Sequence, residues 1–192
     1  MLKVNEIWRT INGEGRFSGV VVKFIRLSGC NVYCPFCNAK YCWHNGVFMS
    51  EEEILHRLTK LGTDVHVVVI SGGEPLIQDT TKLLGLLKTE GYYVVVETNG
   101  TIPLSDDLRK LIDWLVVSPK TESFILGDEL RLLYRGQNLV DWQTVVKKFE
   151  VAYLVPLDAK PEEIEKCIHL VQRFPDWYLG LPIQYFWGKD ET

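Results

Sequence analysis

The chain has 192 residues, 46% hydrophobic and 24% charged, with a formal net charge of -4. That length and apolar content suit one globular domain over residues 1–192 and exclude a disordered chain. The slight acidic excess excludes the basic footprint of a nucleic-acid binder. No apolar run reaches the roughly 20 residues of a membrane span, and Lys3, Asn5 and Glu6 interrupt the first apolar positions. The expected location is the cytoplasm, and the expected partner is a small molecule.

The β-branched run GVVVKFIRL at 19–27 predicts a buried strand that ends where a cysteine-rich loop begins. Residues 50–62 predict a helix, because Ser50 and Glu53 form a capping-box signature and Ile54, Leu58 and Leu61 share a face. A second strand at 65–75 runs into the turn SGGEP. A helix at 80–91, closed by Gly91, leads to a third strand at 92–100. A short helix at 106–112 and a fourth strand at 113–120 follow. TVVKKFEV at 144–151 predicts a fifth strand, and 160–174 a helix with Pro161 and three glutamates near its start. WYLGLPIQ at 177–184 predicts a sixth strand. Strands alternating with helices imply an α/β fold with a parallel sheet curled into a partial, TIM-like (β/α)6 barrel. Ligand groups of such folds gather at the C-terminal strand ends, where the cysteines, Ser71–Pro75, 97–100 and 118–120 all fall.

Cys30, Cys34 and Cys37 form C-x3-C-x2-C. An odd total of five cysteines with no signal peptide argues against disulfides and for ligands. Three thiolates on one loop suit a [4Fe-4S] cluster with one iron left free of protein. Zinc, with Cys42 or His44 as fourth ligand, is the rival, but no second ligand pair is present. Cys42 and Cys167 are expected to be buried apolar residues. In SGGEP, Gly72 and Gly73 let the backbone approach a ligand closely.

Together, C-x3-C-x2-C and GGEP resemble the radical S-adenosylmethionine superfamily. The stretch EIWRTINGEGRFSGVVVKFIRLSGCNVYCPFC, with ISGGEP, VETNGT and VSPK, resembles its 7-carboxy-7-deazaguanine synthase family over about the first two-thirds of the chain. The resemblance implies a radical-SAM-type barrel, compact and shortened at its C-terminus, and a lyase of queuosine and 7-deazapurine synthesis. Its reaction would contract 6-carboxy-5,6,7,8-tetrahydropterin to 7-carboxy-7-deazaguanine with loss of ammonia. S-adenosylmethionine would chelate the free iron and yield a 5'-deoxyadenosyl radical. By resemblance, Ile11, Asn12, Gly13, Glu14, Arg26 and Ser71 contact the pterin, Arg26 through its carboxylate. Gly73, Ser118, Pro119 and Lys120 contact the cofactor. The resemblance further implies a homodimer and a flavodoxin- or ferredoxin-like electron donor.

Two departures from the family pattern stand out. Asn38 and Ala39 follow the third cysteine where the family has Asp and a hydroxyl residue, which puts its magnesium ion (Mg2+) in doubt, because alanine has no donor oxygen. After residue 184 only YFWGKDET remains, so either a terminal unit is missing or LPIQYFWG is itself the substrate-facing end. Trp177, Tyr178, Tyr185, Phe186 and Trp187 are candidates for a dimer seam. Two further functions share some of these features: a glycyl-radical-enzyme activase, and a non-catalytic zinc or cluster module. The activase needs neither INGEG nor Arg26, and the module would hold metal without chemistry.

Overall fold

The structure is a computed structural model that describes residues 1–158 and 160–185. One nine-stranded sheet runs through it in the order β3-β1-β2-β4-β5-β6-β7-β8-β9. The parallel part consists of β2 (Val21–Leu27), β4 (Val67–Gly72), β5 (Tyr93–Thr98), β6 (Trp114–Val117), β7 (Glu129–Tyr134), β8 (Val151–Pro156) and β9 (Tyr178–Leu179). Antiparallel β1 (Leu2–Ile11) and β3 (Val47–Met49) extend it at one edge. The crossovers carry α1 (Glu51–Lys60), α2 (Thr81–Thr89), α3 (Asp106–Lys110), α4 (Gln143–Val146) and α5 (Pro161–Arg173). Between β6 and β7 the chain crosses without a helix.

Four of the five helices lie where the sequence places them. Ser50 Oγ accepts from the Glu53 main-chain N (3.1 Å), a cap worth about 1 kcal/mol. Glu53 itself turns to Arg57, so only half of the capping box forms. The strands need corrections. Residues 144–151 are not the fifth strand. Val146 and Phe149 are buried three positions apart, a helical spacing, and β8 starts only at Val151. The sixth expected strand shortens to Tyr178–Leu179. β1, β3 and β7 are additional.

The period of two divides each parallel strand between two environments. Ile25, Leu27, Val68, Ile70, Val94, Val96, Leu115, Val117, Leu130 and Leu132 face the helices in the main core, beside Leu83, Leu84 and Leu87 of α2. On the other face, Trp8, Phe24, Val69, Val95 and Trp114 are register partners in sequence across five strands and form an apolar layer. One step toward the C-terminal strand ends, the same face turns polar, with Glu6 opposite Arg26, Arg26 beside Ser71, and Glu97 in the row that reaches Glu129. The apolar layer is therefore the floor of a polar cavity.

Candidate active site

The cavity measures about 850 Å³ and is lined from nearly every parallel strand. That volume lies high in the range of small-molecule sites, with room for a cofactor and a bicyclic substrate. Cys30, Cys34 and Cys37 are free, half-buried thiols on its wall. The Ala39 main-chain N donates to Cys37 Sγ (3.4 Å). Burial pushes the Cys34 thiol above its ordinary range, with Lys120 and Arg135 acting the other way and Cys30 and Cys37 adding to the rise. Cys42 is fully buried, and its thiol donates to Ala39 O (2.9 Å); burial raises it to about 11. His44 stacks on Tyr33.

Neither residue therefore completes a zinc cage. Among the described residues, no three His, Cys, Asp or Glu side chains are gathered tightly enough for one ion. A multi-iron cluster does not require that, since each thiolate takes a separate iron. Three soft thiols on the cavity wall, with the fourth nearby thiol engaged elsewhere, fit a three-cysteine cluster.

The turn after β4 explains its own sequence. Gly72 has φ 151°, and a Cβ at Gly73 would run into the Gly29 carbonyl. Without side chains there, the turn lies against the base of the cysteine loop, where the Glu74 main-chain N donates to Gly29 O (2.8 Å). Glu74 is fully buried and does not face the cavity. It accepts from Asn99 N (2.6 Å), Thr98 Oγ1 (2.8 Å) and Leu76 N (3.1 Å), locking this turn to the end of β5. Asn99 Nδ2 donates to Asn31 Oδ1 (3.0 Å), and Asn31 Nδ2 to Thr101 Oγ1 (2.8 Å), which ties the cysteine loop to the same point.

At the opposite wall Arg131 is the hub, a residue absent from the sequence-based candidates. Its side chain is 8% exposed. Nη1 donates to Glu97 Oε1 (2.7 Å) and lies 3.6 Å from Glu14, while Nη2 and Nε donate to Glu129 Oε1 (2.9 and 3.1 Å). Glu129 also accepts from Trp114 Nε1 (3.0 Å) and Arg16 N (3.1 Å), so the loop carrying Glu14 is fastened to β7. Burial alone would raise the Glu97 carboxyl, but the Arg131 guanidinium outweighs it and holds the group below its ordinary range. Burial draws Lys120 below the ordinary lysine range, with Cys34 and Glu14 pulling back. The signal for the hub was present in ELRLLY, where two charges alternate with core leucines.

The segment at 182–185 returns to the cavity. Ile183 N donates to Gly13 O (3.0 Å), Gln184 Nε2 to Glu14 Oε1 (2.7 Å), and Asn38 Nδ2 to Tyr185 Oη (3.4 Å). Of the two readings of this end, the structure selects the one in which LPIQY faces the site. Phe186 and Trp187 lie outside the described residues. Trp177 is 2% exposed and packs in the core, so it leaves the proposed seam, whereas Tyr178 is exposed.

Ile11, Asn12, Gly13, Glu14, Arg26, Cys30, Cys34, Cys37, Ser71, Gly73, Ser118 and Lys120 all line this one cavity. Pro119 does not; it is buried and lines a smaller adjoining pocket that shares Lys120 with this one.

Residues 24–150 match the Radical SAM superfamily. The 7-carboxy-7-deazaguanine synthase of Bacteroides thetaiotaomicron is 34% identical over 185 residues, covering 94% of this chain and 94% of that protein. This chain belongs to the 7-carboxy-7-deazaguanine synthase family of the radical SAM superfamily. The synthase of Bradyrhizobium diazoefficiens is also 34% identical, over 93% of this chain and 94% of its own length. The crystal structure of QueE from Escherichia coli superposes with a TM-score of 0.78 at 27% identity, covering 94% of this chain and 93% of that one. Family membership sets aside the zinc-module and activase readings. The superfamily implies a [4Fe-4S] cluster and S-adenosylmethionine, which the thiol set fits.

Proposed function

We propose that the chain converts 6-carboxy-5,6,7,8-tetrahydropterin to 7-carboxy-7-deazaguanine with loss of ammonia, in queuosine and 7-deazapurine synthesis. The observation that carries this reading is that Ile11, Asn12, Gly13, Glu14, Arg26 and Ser71 share one cavity with the three cysteines and with Gly72 and Gly73 of the SGGEP turn. In this proposal Cys30, Cys34 and Cys37 hold the cluster, while Gly73, Ser118 and Lys120 border the cofactor. The loaded cluster and S-adenosylmethionine supply the radical that takes a hydrogen atom from the substrate.

The chain's own residues bind and orient the pterin. The Arg26 fork receives the pterin carboxylate, and Glu14 accepts from the paired N–H donors of its guanidine-like edge. Arg131 keeps Glu97 ionised and, with Gln184, fixes the Glu14 carboxylate in place. The apolar floor and the 182–185 segment limit water at the reacting ring. Magnesium enters this reading only through substrate, water and main-chain oxygens, because Ala39 has no donor and Asn38 offers a neutral one. A homodimer, a flavodoxin- or ferredoxin-like electron donor and a cytoplasmic location complete the proposal. No helix of the described residues is long and apolar enough to cross a membrane.

The test is anaerobic turnover. Reconstituted, reduced protein with S-adenosylmethionine should release 7-carboxy-7-deazaguanine from the carboxytetrahydropterin. A fully clustered sample that cleaves S-adenosylmethionine but leaves the pterin intact would refute the substrate assignment.

A further inference from the structure

We propose that Glu6 is a displaceable counter-ion of Arg26, and that the exchange of its carboxylate for one on the substrate tempers the site's preference for an anionic ligand. The inference rests on the reading above, in which Arg26 receives the pterin carboxylate.

The backbone builds this pair deliberately. Val4 is opposite Leu27 and Glu6 is opposite Arg26, so Asn5 is an extra residue and β1 bulges there. Before the bulge, Leu2 and Val4 face the core; after it, Ile7 packs against the core while Glu6 and Trp8 line the cavity. A regular strand would leave Glu6 on the same face as Val4, buried among apolar side chains. The bulge re-aims it at the cavity, a common use of bulges beside active sites.

The two partners are held unequally. Arg26 has a side-chain exposure of 19%, and its guanidinium carbon lies 5.1, 5.3 and 5.6 Å from the ring centres of Trp8, Phe24 and Tyr41. Three aromatic faces within cation–π range fix the cation where it stands. Glu6 has a side-chain exposure of 46% and is held by Arg26 Nε at 3.2 Å and by the Tyr41 hydroxyl at 3.4 Å. Among the described residues, neither terminal nitrogen of Arg26 donates to a protein acceptor. The cation is caged and keeps a free pair of donors, whereas its anion is exposed and weakly tied. An arriving carboxylate can take the fork while Glu6 swings into water.

A ligand without a carboxylate gains nothing from a cation that Glu6 already neutralises, whereas a carboxylated one competes with Glu6 for it. Removing the Glu6 charge should therefore tighten only the carboxylated ligand. Exposed ion pairs are worth up to about 1 kcal/mol, which corresponds to a gain of up to about five-fold.

The experiment is a fluorescence titration of the reconstituted, anaerobic protein with 6-carboxypterin and with unsubstituted pterin. The expected result for Glu6→Gln is a dissociation constant lower by up to about five-fold for 6-carboxypterin and unchanged for pterin. Tyr41→Leu, which removes one wall of the cage, should weaken 6-carboxypterin by a similar factor and spare pterin. An unchanged or weaker affinity of Glu6→Gln for 6-carboxypterin, or an equal gain for both ligands, overturns the inference while leaving the function intact. Failure of the wild-type protein to bind 6-carboxypterin in preference to pterin removes the reading of Arg26 itself, and the inference with it.

Discussion

Replacing Arg131 with Met tests whether the cavity wall is held by a buried cation. The substitution keeps length and apolar volume but strands the two carboxylates in closest contact. Glu129 has no exposed side-chain surface and Glu97 has 17%. Removing one member of a buried pair costs about 3–5 kcal/mol. Glu129 retains its bonds from Trp114 and Arg16, and Glu14 lies farther off with more access to water, so the lower part of that range applies, about 3–4 kcal/mol. For a chain of this size that corresponds to a fall in Tm of roughly 10 °C, read by anaerobic circular dichroism. The pH dependence gives the sharper readout. In the wild type, Glu97 is depressed below its ordinary 4.5, so its contribution is present above that value and is lost as pH falls through the folded value. Without Arg131, burial dominates, the folded value rises, and the variant gains stability as pH falls toward 4.5. The gap between the two proteins should narrow from pH 7.5 to 4.5. A gap that stays constant across that range would show that Arg131 acts by packing and not by charge.

Three further outcomes are expected. Alanine at Cys30, Cys34 or Cys37 should abolish iron and sulfide binding, whereas Cys42→Ala and Cys167→Ala should retain it in anaerobic metal analysis, because both of those thiols are buried away from the cavity. Gln184→Ala removes a hydrogen bond to the Glu14 carboxylate and should raise KM for the pterin about tenfold with cluster content unchanged, as steady-state kinetics would report. Ala39→Thr supplies the missing hydroxyl and should make turnover magnesium-dependent; an unchanged response to added magnesium or chelator removes that explanation.

The sequence displays what is periodic or carries unusual residue types. The cysteine spacing, GGEP and the helices with caps were legible because each is local. What escaped is written in partners. β7 reads as a charged stretch until Leu130 and Leu132 are seen to fill the core while Glu129 and Arg131 neutralise each other side by side on the opposite face of the same strand. β1 hides its alternation at the bulge, where the face of every later side chain switches. TVVKKFEV misled because β-branched content suggested a strand, although Val146 and Phe149 have helical spacing. Glu74 sits inside a recognisable motif, yet its bonds to Thr98 and Asn99 lie about 25 positions away in a segment the motif does not include.

The cavity wall joins the two ends of the described chain, and this constrains how the site forms. Glu14 follows β1, the antiparallel partner of β2, whereas Gln184 follows β9, at the far edge of the sheet. Their hydrogen bond spans 170 positions of sequence, and the Ile183 N bond to Gly13 O runs beside it. Such contacts carry the full entropy of closing a long loop and gain little until the sheet between them exists. Arg131 stands between them, on β7, and pairs with the same Glu14 carboxylate at 3.6 Å. The Glu14 carboxylate is therefore set only when the parallel sheet has formed from β2 through β9, while the cysteine loop is fastened earlier in the topology by Glu74, Asn99 and Asn31, which follow neighbouring strands. Damage to β8, β9 or the 182–185 segment should accordingly impair pterin binding before it impairs retention of the cluster.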